Sequence, residues 1–334
     1  MDWFAEMGDY WLTTLSWVVG LALAFGLLAR LMPCNPGMYW WKNPRGAATD
    51  FIYWFIVPLF LRLGRTLLMW AGLRLLFHGA EPNPWPVKHL TMWQQCVLIL
   101  LIQDVLLYAI HRVFHTRLAW KFHAIHHSPT VLDWMSTSRF HPINHLFAFT
   151  VADVAVLLMG FSPEALIVLM PFNLIYSAMT HANLNWTFGP FRYVFASQFF
   201  HRWHHTTEKD GLNKNFASTF PFLDVLFGTF HMPPGKLPEQ FGNGENDFPE
   251  DFWGQLLHPF RKQREQPSHA ANPVRLATLR RSVAEEASAN RPSLHASETP
   301  MTFHFACSQG HQWGDADGRG KPIGVGAESC PVCG

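Results

Sequence analysis

The chain has 334 residues, 25 Lys and Arg against 24 Asp and Glu, a formal net charge of +1, and 49% hydrophobic residues. That excludes general disorder, and the near-zero charge excludes an electrostatic nucleic-acid binder. Charged residues reach only 15%, below the roughly 25% of a soluble domain. There are 19 histidines and five cysteines. Three of those cysteines sit close together at the C-terminal end, which argues against a secreted disulfide scaffold and for reduced, metal-type usage.

The first element is the uncharged run from Trp11 to Ala29. As a helix it rises about 28 Å, enough to cross a hydrocarbon core. No Lys or Arg precedes it, so it reads as a retained transmembrane helix rather than a signal peptide. A second apolar stretch, 51–77, is interrupted by Arg62, Arg65 and Arg74. A third, Met92 to Ile110, carries one acid, Asp104. The fourth, Leu146 to Thr180, breaks at Gly160-Phe161-Ser162-Pro163, where Ser162 can cap a new helix; this predicts a helical hairpin. Basic residues collect after the first run (Arg30, Lys42, Arg45) and after the third (Arg112, Arg117, Lys121, Arg139). The positive-inside rule then places the N-terminus outside and the segments after Ile110 and Thr180 in the cytosol, a parity that requires 51–77 to cross. The stretch 262–300, rich in Ala, Ser, Arg, Glu and Pro, reads as a flexible linker. The expected organisation is therefore N-terminal transmembrane helices over 1–90, a catalytic domain over 91–261, the linker, and a small module over 301–334.

Eleven histidines lie between His111 and His205. They group as HRVFH (His111, His115), HAIHH (His123, His126, His127), HPINH (His141, His145), the single His181, and HRWHH (His201, His204, His205). Helical spacing of three and four residues presents imidazoles to one side. Imidazole-rich sites suit iron, zinc, copper or nickel, and so many ligands exceed one zinc's usual four. Two ions are the economical reading, with iron and oxygen chemistry favoured. His181 returns to the same membrane face at the end of the hairpin and joins the ligand candidates. His141, beside Pro142, is a further candidate. Asp104 precedes His111 by two helical turns, on the same face, and is a candidate to accept the second ring N–H of a ligand histidine.

The order and spelling of these groups resemble the fatty acid hydroxylase superfamily, its sterol desaturase-like branch in particular. The resembling stretch runs from about Gln103 to Phe230: QDVLLYAIHRVFH, WKFHAIHHSPTVLDWMSTSRFHP, THANLNW and FHRWHHTTEKDGLNKNFASTFPFLDVLFGTF. The resemblance implies an integral-membrane non-haem di-iron enzyme that hydroxylates or desaturates a lipid with O2. Its ligands would be His111, His115, His123, His126, His127, His181, His201, His204 and His205, with His141 added. Where some family hydroxylases carry a second histidine four residues after the equivalent of His181, this chain has Asn185. No GxGxxG or haem signature occurs, so electrons must come from an external ferredoxin- or cytochrome-type donor.

At the C-terminus, Cys307 and His311 form one short pair and Cys330 and Cys333 another, around a Gly-rich loop. That layout resembles a zinc ribbon, with zinc as the expected ion. The resulting fold class is an all-α integral membrane protein: a helical bundle with a histidine-rich di-metal site on its cytosolic face, plus a small C-terminal zinc ribbon. A membrane metal transporter or sensor without catalysis is the alternative.

Overall fold

The computed structural model describes residues 3–77, 87–245, 247–261, 304–306 and 312–314. The chain divides into two compact units, Met1–Asn272 and Pro273–Gly334. In the second, β1 (His304–Ala306) pairs antiparallel with β2 (Gln312–Gly314), His304 opposite Gly314. Cys307, His311, Cys330 and Cys333 lie outside the described residues, as does the whole of the expected linker, 262–300.

The first unit is helical. Its long elements are α1 (Trp3–Leu31), α2 (Pro44–Phe77), α3 (Met92–Phe114) and α7 (Pro163–His181). Between α3 and α7 come the short α4 (Trp120–His123) and α5 (Pro142–His145), a π-helical turn (Leu146–Thr150) and α6 (Val151–Leu158). After α7 follow α8 (Gln198–His204), α9 (Phe222–Leu226) and α10 (Phe252–Leu257). Among the described residues, three helical stretches are long and apolar enough to cross a membrane: Gly8–Leu31, Met92–Phe114 and Pro163–His181. The protein is thus an integral membrane protein in its composition of helices. The arginine-bearing α2 is not among those three, although it forms one continuous helix through Pro58.

Local chemistry explains the boundaries. Thr91 and Gln94 form a capping box at the start of α3, with the Thr91 N–H donating to Gln94 Oε1 at 2.9 Å. Ser162 caps α7 by accepting from the Ala165 N–H, and Pro163 takes the first helical position. The expected hairpin therefore turns at Gly160, whose φ of 89° suits a residue without a side chain.

The three apolar helices end at one face. The loop after α1 is stitched to the end of α7: the Asn35 N–H donates to Asn183 Oδ1 (2.8 Å), and the Asn185 N–H to the Met32 carbonyl (3.0 Å). His111 lies in the last turn of α3 and His181 is the last residue of α7. Two return arms run away from that face side by side. One is α2, where a methyl group added at Gly72 would meet Leu158 and Val154 at ordinary van der Waals distance; the other is the α5–α6 segment, including its π turn. At the histidine face α2 is fixed by a buried ion pair, Arg139 Nε to Asp50 Oδ1 at 2.6 Å. The buried Trp54 indole N–H adds a bond to the Met135 carbonyl. Core residues from α1, α2 and α7 pack with Trp134 and Met135 under the same face.

Candidate metal centre

The nine box histidines converge into two clusters. His111, His115, His123, His127 and His204 form the first; His126, His181, His201 and His205 form the second. Within each, one ring nitrogen per residue lies within 4.8 Å of all the others. Helix geometry explains the partition. His111 and His115, and His123 and His127, are i,i+4 pairs that point to one side, while His126 sits one residue off and turns to the other cluster. In HRWHH the assignment inverts: His201 and His205 are the i,i+4 pair of the second cluster, and His204 crosses to the first. Each HxxHH box thereby serves both clusters, and the rings of His127 and His205 stack at 4.4 Å where the two meet.

The ring protons are committed outward. Nδ1 donates to a main-chain carbonyl in His111 (Phe216, 2.8 Å), His126 (Arg139, 3.3 Å), His181 (Ser177, 2.8 Å) and His204 (Lys214, 2.8 Å). A carbonyl only accepts, so these imidazoles carry their proton on Nδ1 and aim an Nε2 lone pair inward. His126 Nε2 and His181 Nε2 nevertheless face each other at 3.3 Å. With both protons elsewhere, no hydrogen lies between them, and two bare lone pairs at that distance repel unless a cation joins them. Related Nε2 separations are 3.0 Å for His111–His123, 3.1 Å for His201–His181 and 3.0 Å for His205–His201. Metal–imidazole bonds of about 2.1 Å place adjacent ligand nitrogens about 3.0–3.4 Å apart. The buried Nε2 atoms of His115 and His204 and Nδ1 of His205 have no hydrogen-bond partner. The donor set therefore fits two metal ions, one per cluster.

Burial reinforces this. It holds His115, His123, His126, His127, His201, His204 and His205 well below the ordinary imidazole value of 6.5, and neighbouring imidazoles lower each further. The rings are neutral near pH 7, the state that binds metal.

Two candidates from the sequence stand elsewhere. His141 joins neither cluster. Its Nδ1 accepts from the Ile143 N–H and its Nε2 bonds the Leu256 carbonyl, so it acts as the cap of α5. Asp104 touches no imidazole. Its carboxylate accepts the backbone N–H groups of Ser218, Thr219 and Phe220 at 2.8–3.1 Å. It acts on the site at one remove, by fixing the loop whose Phe216 carbonyl orients His111. Asp133 is a loop cap, accepting from the Trp134 N–H.

Several supporting residues carried no distinct sequence signal. Asp224 accepts from the N–H groups of Phe216 and Ala217 and from the Thr229 hydroxyl. Asn144 orients His123 from 2.8 Å. Asn215, in the left-handed region with φ 59°, bonds the Phe200 and His231 carbonyls through its amide. Arg139 and Arg202 are buried and fully engaged, Arg202 with Asn35 Oδ1 and the Leu132 carbonyl. Polar residues in such loops look like ordinary turn formers until their distant partners are known.

A cavity of about 150 Å³ adjoins both clusters. His111 and His123 of the first and His126, His181 and His201 of the second form its floor. Leu100, Leu107, Phe114, Phe140, Phe149 and Ala152 give it apolar walls, drawn from α3, the loop before α5 and the α5–α6 arm.

Nine imidazoles gathered into two clusters that could each hold a metal ion, at the end of membrane helices and beside a largely apolar cavity, define an integral-membrane histidine-box protein. Residues 96–229 match the fatty acid hydroxylase family model, so this segment of the chain is similar to that family. Ornithine lipid hydroxylase from Rhizobium tropici is 30% identical over 211 residues, 63% of this chain and 62% of that one. Alkylglycerol monooxygenase from Caenorhabditis elegans is 27% identical over 54% of this chain and 34% of its own length. A very-long-chain aldehyde decarbonylase from Oryza sativa subsp. indica is 27% identical over 43% of this chain and 55% of its own. The chain thus spans less than two thirds of each of these relatives. No solved structure matches it.

Proposed function

We propose that the protein is an O2-dependent, non-haem di-iron oxidoreductase that hydroxylates or desaturates a C–H bond of a membrane lipid. The observation that carries this reading is the facing pair of unprotonated Nε2 atoms on His126 and His181, at the floor of an apolar cavity. Its ligands would be the nine histidines of the two clusters. Two iron ions held there supply the activation of O2 toward an unactivated C–H bond. The chain's own part is positional. Main-chain carbonyls fix the ring tautomers, the cavity presents one portion of the lipid to the metal-binding floor, and its apolar walls exclude water. The metal transporter or sensor finds no support, because the relatives are named as a hydroxylase, a monooxygenase and a decarbonylase.

Electrons would come from a ferredoxin- or cytochrome-type donor docking at the histidine face. Basic residues around that face, Arg30, Lys42, Arg112, Arg117 and Lys121, support a cytosolic orientation with the N-terminus outside. The return arms α2 and α5–α6 supply the parity. Zinc at Cys307, His311, Cys330 and Cys333 rests on ligand spacing alone. The catalytic domain would cover 91–261. The test is purified full-length protein loaded with ferrous iron and supplied with reductant and a bilayer lipid extract. The expected result is oxygen uptake matched by a lipid that has gained one oxygen atom or lost two hydrogens. Iron-loaded protein that consumes no oxygen above a His126→Ala control would overturn the reading.

A further inference from the structure

The segment that orients His111 lies at the level of the membrane helices, not beyond their ends. Asp104, whose carboxylate holds the N–H groups of Ser218, Thr219 and Phe220, stands about 15 Å back along α3 from its last residue, Phe114. Tyr108, about 9 Å back from the same end, stacks its ring on Phe227 at 5.2 Å. On α7 the Tyr176 hydroxyl, about 8 Å before the end at His181, bonds the Ala196 and Thr219 carbonyls. Two stretches, 189–195 and 216–227, are thus pinned along the last turns of two spans.

Irregular backbone stands at that depth only when its polar groups are satisfied within the protein. The N–H groups of 216–220 all end on the Asp104 and Asp224 carboxylates. The Phe216, Thr219 and Phe220 carbonyls accept from His111, the Ala196 N–H and the Leu223 N–H. The side chains, in turn, face the wrong way for water. In α9, Leu223 and Asp224 are buried, while Phe222, Val225 and Leu226 are exposed, Leu226 by 71%. A water-facing helix keeps its leucines in and its carboxylates out. The turn Gly189–Tyr193 adds Phe191, 62% exposed, and Phe195 follows with its ring 6.1 Å from Phe220. Beside these lie Arg112, over the Tyr108 ring at 5.9 Å, and Arg192, over Tyr193 at 4.9 Å. Such long-stemmed cations can lie along apolar surface while reaching lipid phosphates.

We propose that 189–195 and 216–227 form a wedge inserted into the lipid leaflet at the histidine end of α3 and α7, with its exposed apolar side chains against acyl chains. The partner is phospholipid, because Phe227 joins the patch to α3, whose Val105 and Val113 are exposed along the same span. Ser218 and Thr219 line the cavity, so the wedge is also the wall between the cavity and that leaflet. This goes beyond the proposed lipid oxidation and depends on neither iron nor turnover.

The experiment uses full-length protein in nanodiscs of phosphatidylcholine and phosphatidylglycerol, both faces of which are open to water. Leu226 is replaced by the photo-crosslinker p-benzoylphenylalanine, and the irradiated protein is weighed by intact mass spectrometry. The same replacement at Val97, exposed on α3, is the lipid-facing reference. A phospholipid adduct is expected as the main product at both positions. A chain-to-chain crosslink at 226, or no phospholipid adduct there while Val97 gives one, would overturn the proposal. Accessibility gives a second readout. Leu226→Cys should react with a charged maleimide, above the wild-type background, about tenfold or more slowly than Glu239→Cys, since a thiol in lipid resists ionisation. Equal rates would contradict insertion.

Discussion

At the scale of single residues, the site is a problem in proton placement. An imidazole has two nitrogens, and its ligand capacity depends on which one carries hydrogen. Backbone carbonyls from three separate segments (Arg139, Ser177, and the loop of Lys214 and Phe216) decide this for His126, His181, His204 and His111. The same chemistry sets a pH response. Burial depresses the clustered imidazoles in the folded chain below their unfolded value of 6.5. As pH falls through 6.5 the unfolded chain takes up protons that the folded chain refuses, so stability present above that pH is lost progressively below it. Metal-stripped protein should therefore melt at a clearly lower temperature at about pH 5.5 than at about pH 8, by differential scanning calorimetry. An unchanged melting temperature would show that the rings are not held neutral. The histidine boxes were fully legible in the sequence because helical spacing encodes them. Their division between clusters was not, since it depends on where two short helices meet.

At the scale of elements, loops carry the precision that the helices lack. The segment 216–220 is held by two carboxylates, Asp224 from α9 and Asp104 from α3, which together accept five of its backbone N–H groups. Asp224→Ala leaves buried donors unsatisfied at about 1–3 kcal/mol each. A loss of about 3 kcal/mol or more is expected in urea unfolding of solubilised protein. Asp104→Leu should release the Phe216 carbonyl from His111 and lower metal content at the first cluster before the second, measured by metal titration. Equal loss at both would show that the loop does not serve His111 selectively. Asp104 was legible as an unusual acid in a span, but its partners are more than a hundred residues away, and spacing along α3 suggested His111 instead. Arg139 presents the same lesson. In sequence it counted as a positive-inside marker, yet it is buried and paired with Asp50. Arg139→Met leaves that aspartate buried without its partner, and about 3–5 kcal/mol of stability should go with it.

At the scale of the whole molecule, three apolar helices deliver their C-terminal ends to one face, and two return arms reset the chain for each new approach. That plan was legible from charge-free runs and the Ser162-Pro163 break. The role of α2 was less so, because its arginines obscure a helix that is nevertheless continuous from Pro44 to Phe77. The cavity could not be read at all, since its walls come from α3, α6 and α7 and exist only once these pack.

The central claim is that the two clusters are two iron sites, and iron counting tests it most directly. Full-length protein reloaded with ferrous iron, desalted and measured by inductively coupled plasma mass spectrometry should hold close to two ions per chain. His115→Ala and His201→Ala, which remove one ligand from the first and second clusters respectively, should each fall toward one. Wild-type protein saturating at a single iron, or both variants retaining the full complement, would contradict the account.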